Sequence, residues 1–274
     1  MSAAITPGEF DFIRQFLLQR SAIALDAGKE YLVEARVVPV LRKYKLTTIG
    51  ELVALLRSPS GGAAERDLVD ALTTNETYFF RDIHPFNALR LTVLPSLIQK
   101  RTATRRLNIW CAASSTGQEP YTIAMILREY FPALRGWDVR ILATDLANHV
   151  LARAIEGKYN QIEVNRGLPA PLLLKYFKQE GPWWQISEEL RKMITFRKLN
   201  LAEAWSVPPP VDLVFIRNVL IYFNVEMKKN ILERIKRLLA PDGYLFLGSA
   251  ETTVNLESAF KAVHINNTNC YQLG

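Results

Sequence analysis

Only two cysteines, Cys111 and Cys270, occur among the 274 residues. That is too few for a disulfide framework or a cysteine-rich metal site, and it fits a reducing compartment. The three histidines, His84, His149 and His264, are scattered without ligand spacing, so no metal is expected. No apolar stretch approaches membrane-spanning length, since "VDLVFI" and "YLFLGSAE" are strand-sized. The first residues, "MSAAITPGEFDF", lack the basic start and long apolar run of a signal peptide. A cytoplasmic protein with no direct membrane insertion is expected. Internal repeats and low-complexity segments are also missing.

What is present is the profile of a globular protein with a real core, 49% apolar and 22% charged. The length suits one large domain or two modest ones. The formal charge is +7, yet residues 1–72 carry nine basic and nine acidic side chains, so the excess lies further on. An acidic partner follows: nucleic acid, anionic lipid or an acidic protein surface. Without a long basic run, charge does not choose among them.

Residues 9–72 read as helices. "EFDFIRQFLLQR" places Phe10, Ile13, Phe16 and Leu17 at helical spacing. "KEYLVEARVVPVLRKYKL" repeats the pattern, with Pro39 expected to kink or divide its helix. "TIGELVALLRS" opens on Thr48 with Glu51 three residues on, a capping-box spacing. After residue 105 strand-like runs ("LNIWCA", "VRILATD", "MITFRKL", "VDLVFIR", "YLFLGSA") alternate with amphipathic helices. That rhythm implies a parallel sheet covered on both faces, a doubly wound Rossmann-like domain. Between about 157 and 193 it lapses into "GLPAPLLLKYFKQEGPWWQISEELRKM", read as a small inserted β-hairpin subdomain. The expected division is a helical domain over 1–72 and an α/β domain over 73–274, joined by a linker at 73–90.

In such sheets ligands bind beyond the carboxyl ends of the strands. Here the first strand turns into its helix through "WCAASSTGQEP", which has one glycine and no G-x-G-x-x-G. A carboxylate at Glu119 disfavours a pyrophosphate and suits a sulfonium cofactor with a free amino group. As a plain structural feature, Glu119 is an acid at a helix start, favoured by the dipole. Asp145 ends the second strand, where an acid accepts bonds from ribose hydroxyls or caps the next helix. The linker sequence "TTNETYFFRD" is odd in running polar turn formers into two phenylalanines and a charge pair. A segment pinned to a domain surface is its simplest explanation.

These motifs together carry a resemblance. T-x-N-E-T-x-F-F-R-D, the G-Q-E-P-Y-T loop, "ATDLA", "RKLNL", "FIRNVLIYF" and "APDGYLFLGSAE" resemble the CheR family. That family comprises S-adenosylmethionine-dependent glutamate methyltransferases of bacterial chemoreceptors, and the likeness spans nearly the whole chain. It implies a Rossmann-like class I methyltransferase domain with an inserted β-subdomain, preceded by an all-α domain. It implies S-adenosylmethionine as cofactor, S-adenosylhomocysteine as product, and a linker folded over the pocket. By position, Asn75, Thr77, Arg81, Glu119, Asp145, Asn200, Leu201, Arg217 and Asn218 are then cofactor contacts, Arg81 facing the cofactor's carboxylate and Asn200 and Leu201 its adenine. Tyr222 is placed to orient the substrate carboxylate, which needs no general base because glutamate is already ionised. Receptor helices are expected to be read by basic residues of one N-terminal helix, here Arg36, Arg42 and Lys43, interrupted by Pro39 and Val40.

Two departures bear on partners. Gln118 and Glu119 stand where many relatives have two acids. The insert's "YFKQEGPWWQISEEL" is shorter than the glycine-rich hairpin of relatives that dock on a receptor's C-terminal pentapeptide, so such docking is not expected. A monomer acting on chemoreceptor cytoplasmic helices, not on nucleic acid, is the expectation. The rivals are a nucleic-acid methyltransferase and a docking module without turnover. The first is disfavoured because "RNVLIYF" replaces the Asp/Asn-Pro-Pro-aromatic stretch of amino-methylating enzymes.

Overall fold

Thr6 and Glu9 open the first helix by a reciprocal cap: each side chain accepts a hydrogen bond from the other residue's main-chain N–H. The computed structural model describes residues 4–274. Residues 1–3, which begin the expected helical domain and the stretch read for a signal peptide, lie outside the described residues. Helix α1 (Pro7–Ser21) buries Phe10, Ile13, Phe16 and Leu17. It packs with α2 (Glu30–Lys43), α3 (Ile49–Arg57) and α4 (Gly62–Leu72) around one apolar core. Thr48 and Glu51 form a second reciprocal cap at the start of α3.

Pro39 neither ends nor divides α2, which is a single helix over Glu30–Lys43. Proline removes the hydrogen bond to the carbonyl four residues back. Both Ala35, which owns that carbonyl, and Pro39 are exposed, so water can solvate the orphan acceptor and the cost is lowered.

Thr73 to Tyr78 have no regular structure, and a helical run begins at His84: α5 (His84–Ala88), a π-helical turn (Leu89–Val93) and α6 (Leu94–Arg101). The chain then alternates β1 (Arg106–Ala112), α7 (Gln118–Tyr130), β2 (Asp138–Asp145) and α8 (Asn148–Glu156). An inserted subdomain follows, with β3 (Lys158–Asn160), α9 (Gln161–Asn165), α10 (Ala170–Tyr176), β4 (Phe177–Glu180), β5 (Trp183–Ile186) and α11 (Glu188–Arg191). It is more than the expected hairpin, for its three strands pair antiparallel in the order β3-β5-β4 and three short helices accompany them. The main sheet resumes with β6 (Ile194–Lys198), β7 (Val211–Ile216), α12 (Val225–Leu238), β8 (Leu239–Leu247), β9 (Phe260–Ile265) and β10 (Thr268–Leu273).

Seven strands form this sheet in the order β6-β2-β1-β7-β8-β10-β9. The first five are mutually parallel, and the terminal hairpin adds antiparallel strands at one edge. Every residue of β7 is buried, as expected of a central strand covered on both faces. The order reverses on either side of β1, so a crevice opens above the carboxyl ends of β1 and β7.

Candidate active site

The loop leaving β1 is built to approach something closely. Ala113, Ser115 and Gly117 all have left-handed backbones, with φ of 54°, 49° and 92°. The two non-glycine residues carry strain of order 1 kcal/mol each. Asp145 offsets part of it. Its Oδ2 accepts from the Ser115 N–H at 2.8 Å and its Oδ1 from the Ala147 N–H at 3.0 Å. Asp145 therefore caps the turn after β2 and also braces the loop after β1. Each oxygen keeps a further lone pair. Burial pushes the Asp145 carboxyl above its ordinary value, while the N–H groups of Ala147, Ser115 and Leu146 pull it back.

Opposite lies a buried ionic triad. Arg217, at the end of β7, has a side chain only 2% exposed and is held between two acids: Nη1 to Glu119 at 2.8 Å and Nη2 to Asp82 at 2.9 Å. Nη2 also donates to the Arg81 carbonyl at 2.9 Å, tying the linker to the strand end. Burial raises the Glu119 carboxyl, and the Arg217 charge works against that rise. With its geometry the pair reads as ionised, one cation shared by two carboxylates. The triad's net charge is negative and favours a cationic ligand.

The linker closes the third side. Phe79 is fully buried, edge-on to Tyr159 and Phe177 of the insert with ring centroids 5.0 and 5.6 Å away. Fixing a phenylalanine this way is worth about 1.5–3 kcal/mol by burial alone. Gly167 (φ 83°) makes room, since a Cβ there would stand 2.0 Å from the Phe79 carbonyl oxygen. The Phe80 N–H donates to Thr122 Oγ1, and Ser115 Oγ donates to the Asn75 carbonyl. From the helical domain, the Arg36 guanidinium donates to the Leu72 carbonyl at 2.8 Å and to Thr74 Oγ1 at 3.1 Å. The turn after α1 also reaches over: the Ala24 N–H donates to the Tyr222 carbonyl at 2.9 Å, and Ile23 bridges to Phe223.

These walls enclose a cavity of about 970 Å³, its open mouth included. The ends of four of the five parallel strands (β1, β2, β6 and β7), the linker and the α1–α2 turn contribute to it. Two patterns of known sequences match this arrangement. The all-alpha domain of CheR methyltransferases matches residues 8–73, and their SAM-binding domain matches residues 75–268. The chain belongs to the CheR methyltransferase family. It is 41% identical over 267 residues to "Chemotaxis protein methyltransferase 1" of Pseudomonas aeruginosa, covering 96% of each chain. Similarity to "Chemotaxis protein methyltransferase Cher2" of Pseudomonas putida is 37% over 268 residues, covering 96% of this chain and 97% of that one. To the "Chemotaxis protein methyltransferase" of Vibrio parahaemolyticus it is 34% over 272 residues, 98% of each.

The cofactor of this CheR chain is S-adenosylmethionine, and the cavity's donor set fits it. A carboxylate with spare lone pairs suits ribose hydroxyls (Asp145), and a buried acid suits an ammonium (Glu119). Ser114 Oγ, buried and on the lining, has no hydrogen-bond partner among the described residues. It is thus a further polar group for a ligand to satisfy.

Every residue the sequence assigns to cofactor or substrate orientation lines this one cavity: Asn75, Thr77, Arg81, Glu119, Asp145, Asn200, Leu201, Arg217, Asn218 and Tyr222. Their availability differs. The Asn200 amide is occupied, donating to the Arg20 carbonyl at 2.8 Å and to Glu203 while accepting from the Ala202 N–H. Arg217 commits Nη1 and Nη2 to Glu119, Asp82 and the Arg81 carbonyl, while its buried Nε has no partner among the described residues. Arg81 gives one donor to the Glu76 carbonyl and keeps the rest of its fork. The Tyr222 hydroxyl has no hydrogen bond among the described residues, although the residue lines the cavity.

The basic residues of α2 do not reach the cavity. Arg36 is occupied with the linker, Lys43 pairs with Asp67 at 2.6 Å, and Arg42 is exposed without an ion pair among the described residues. Sequence reading missed Ser21 and Ile23 as lining residues, because nothing in "RSAIALDAG" announces that it meets a strand end almost 200 positions away. No described helix is long and apolar enough to cross a membrane.

Proposed function

We propose that this protein transfers the methyl group of S-adenosylmethionine to glutamate side chains of chemoreceptor cytoplasmic helices, forming glutamyl methyl esters. It is on this reading a cytoplasmic protein-glutamate O-methyltransferase, acting as a monomer and without docking on a receptor's terminal pentapeptide. The observation that carries it is the chemistry of the mouth. Among the described residues neither histidine nor cysteine lines the cavity, whereas Tyr222, whose hydroxyl makes no hydrogen bond to them, does. The acids on the lining are already engaged, Glu119 by Arg217, Asp145 by main-chain N–H groups and Glu76 by Arg166, so none is free as the general base that an alcohol substrate would use, and a carboxylate needs none.

When bound, S-adenosylmethionine supplies an electrophilic methyl on a sulfonium. The protein's part is placement and exclusion of water. Asp145 and Glu119 hold the polar ends of the cofactor, with Asn75, Thr77, Leu201 and Asn218 closing around it, and Arg81 takes its carboxylate by a planar fork. Asn200, whose amide is engaged elsewhere, contributes as wall. Arg217 acts by fixing Glu119. Tyr222 donates one hydrogen bond to the substrate carboxylate and shields the attacking oxygen with its ring. The relatives' names, chemotaxis protein methyltransferases, support a chemotaxis role. Cys111 counts against cysteine-dependent base methylation: it is fully buried in β1, and burial pushes its thiol well above the ordinary range.

The test is transfer of labelled methyl groups to a receptor cytoplasmic fragment, with RNA as the competing acceptor. Label in the fragment alone is expected. Label in RNA alone would replace this reading.

A further inference from the structure

Glu251, just beyond β8, has a carboxylate that collects four main-chain N–H groups. Its Oε2 accepts from Gly248 at 2.7 Å and Asn218 at 2.8 Å, and its Oε1 from Val219 at 2.9 Å and Ile221 at 3.3 Å. It forms no ion pair among the described residues, so these N–H groups are what hold it. Three of the four belong to the turn that follows β7, which ends in Tyr222. That turn is not self-supporting. Asn218 has a left-handed backbone, φ 57°, and successive N–H groups converge on one point, leaving donors that need an anion. Gly248 makes the contact possible: a Cβ there would lie 2.8 Å from both the Asn218 nitrogen and Glu251 Oε2.

We propose that Glu251 is a positioning residue for methyl transfer, shaping the Asn218–Tyr222 turn so that the tyrosine hydroxyl faces the cavity mouth. The tyrosine part rests on the function proposed above. The shaping of the turn does not. Glu251 itself is absent from the cavity lining and acts through the turn. The carboxylate is required as such, because both oxygens accept. A glutamine presents an NH₂ to two N–H donors, so an isosteric change removes two bonds and sets donor against donor.

The experiment compares Glu251→Gln and Glu251→Ala with the wild type by amide hydrogen exchange over residues 217–223 and by single-turnover transfer to a receptor fragment at saturating cofactor. Exchange at Asn218, Val219 and Ile221 is expected to speed up at least tenfold in both variants, while helix α12 is unchanged. The transfer rate falls at least tenfold in both, with glutamine no better than alanine. Unchanged exchange in Glu251→Gln overturns the proposal whatever the substrate is. So does a wild-type transfer rate in Glu251→Gln with accelerated exchange, which would make the carboxylate purely structural. If the wild type methylates no receptor fragment, the function proposed above fails while the exchange result still decides whether Glu251 shapes the turn.

Discussion

Arg217 and Glu119 meet at 2.8 Å inside the protein, their side chains 2% and 13% exposed. The acid is therefore aimed by the arginine, and Asp82 on the linker completes the set. Removing one partner of such a pair leaves a buried charge uncompensated, which is costly. Linker and strand end thus form one electrostatic unit.

This unit predicts a pH dependence. Burial holds the Glu119 carboxyl above its ordinary 4.5, and a cationic ligand group prefers the ionised form. Cofactor affinity should therefore fall as pH drops through that raised value, by up to about tenfold per pH unit for one group. Calorimetry at several pH values checks this, and Glu119→Gln should bind more weakly and with a flatter profile.

Asp145→Ala should weaken binding of S-adenosylmethionine and S-adenosylhomocysteine by about 1.5–3 kcal/mol, the cost of losing a charged acceptor in a buried site. The same change frees the Ser115 and Ala147 N–H groups. Asp145→Asn, which keeps one acceptor oxygen, should lose less. Equal affinity in a folded Asp145→Ala protein would remove the ribose assignment.

The three basic residues of α2 should separate in function. Reversing Arg42, exposed and without an ion pair among the described residues, to Glu should raise KM for the receptor and flatten its salt dependence with cofactor affinity unchanged. Arg36→Ala should act differently, since it releases the linker at Leu72 and Thr74. Weaker cofactor binding is expected there. Identical effects from the two changes would mean that the helix does not divide its roles in this way.

Tyr222→Phe keeps the ring and deletes the donor. Single-turnover transfer should slow by roughly tenfold or more, about 1.4 kcal/mol of transition-state stabilisation, with cofactor affinity preserved. Collapse of cofactor affinity with an unchanged rate would move Tyr222 into the cofactor's own shell.

Much of this is legible in the sequence, for identifiable reasons. Apolar, strand-sized runs such as "VDLVFI" read as central strands, and the cap at Thr48 lies within three residues of its partner. The C-terminal hairpin was missed although Asn266 and Asn267, both with left-handed backbones, are strong turn formers. The helical run from His84 to Arg101 is hard to read in the sequence because two prolines and a π-helical turn break its periodicity. Pro39 does not divide its helix, since its exposure and that of Ala35 let water solvate the freed carbonyl. At the site, residue types at strand ends were readable, whereas their commitments were not. That Asn200 spends its amide on Arg20 and Arg217 its guanidinium on Glu119 are long-range facts, decided by how two domains meet.

The central claim is that the product is a carboxylate ester. After transfer of a labelled methyl group to a receptor fragment, brief mild alkali should release the label as volatile methanol. A fragment with its acidic methylation-site side chains changed to alanine should take up none. Label that survives alkali on the receptor, or that enters the alanine fragment equally well, would contradict the account.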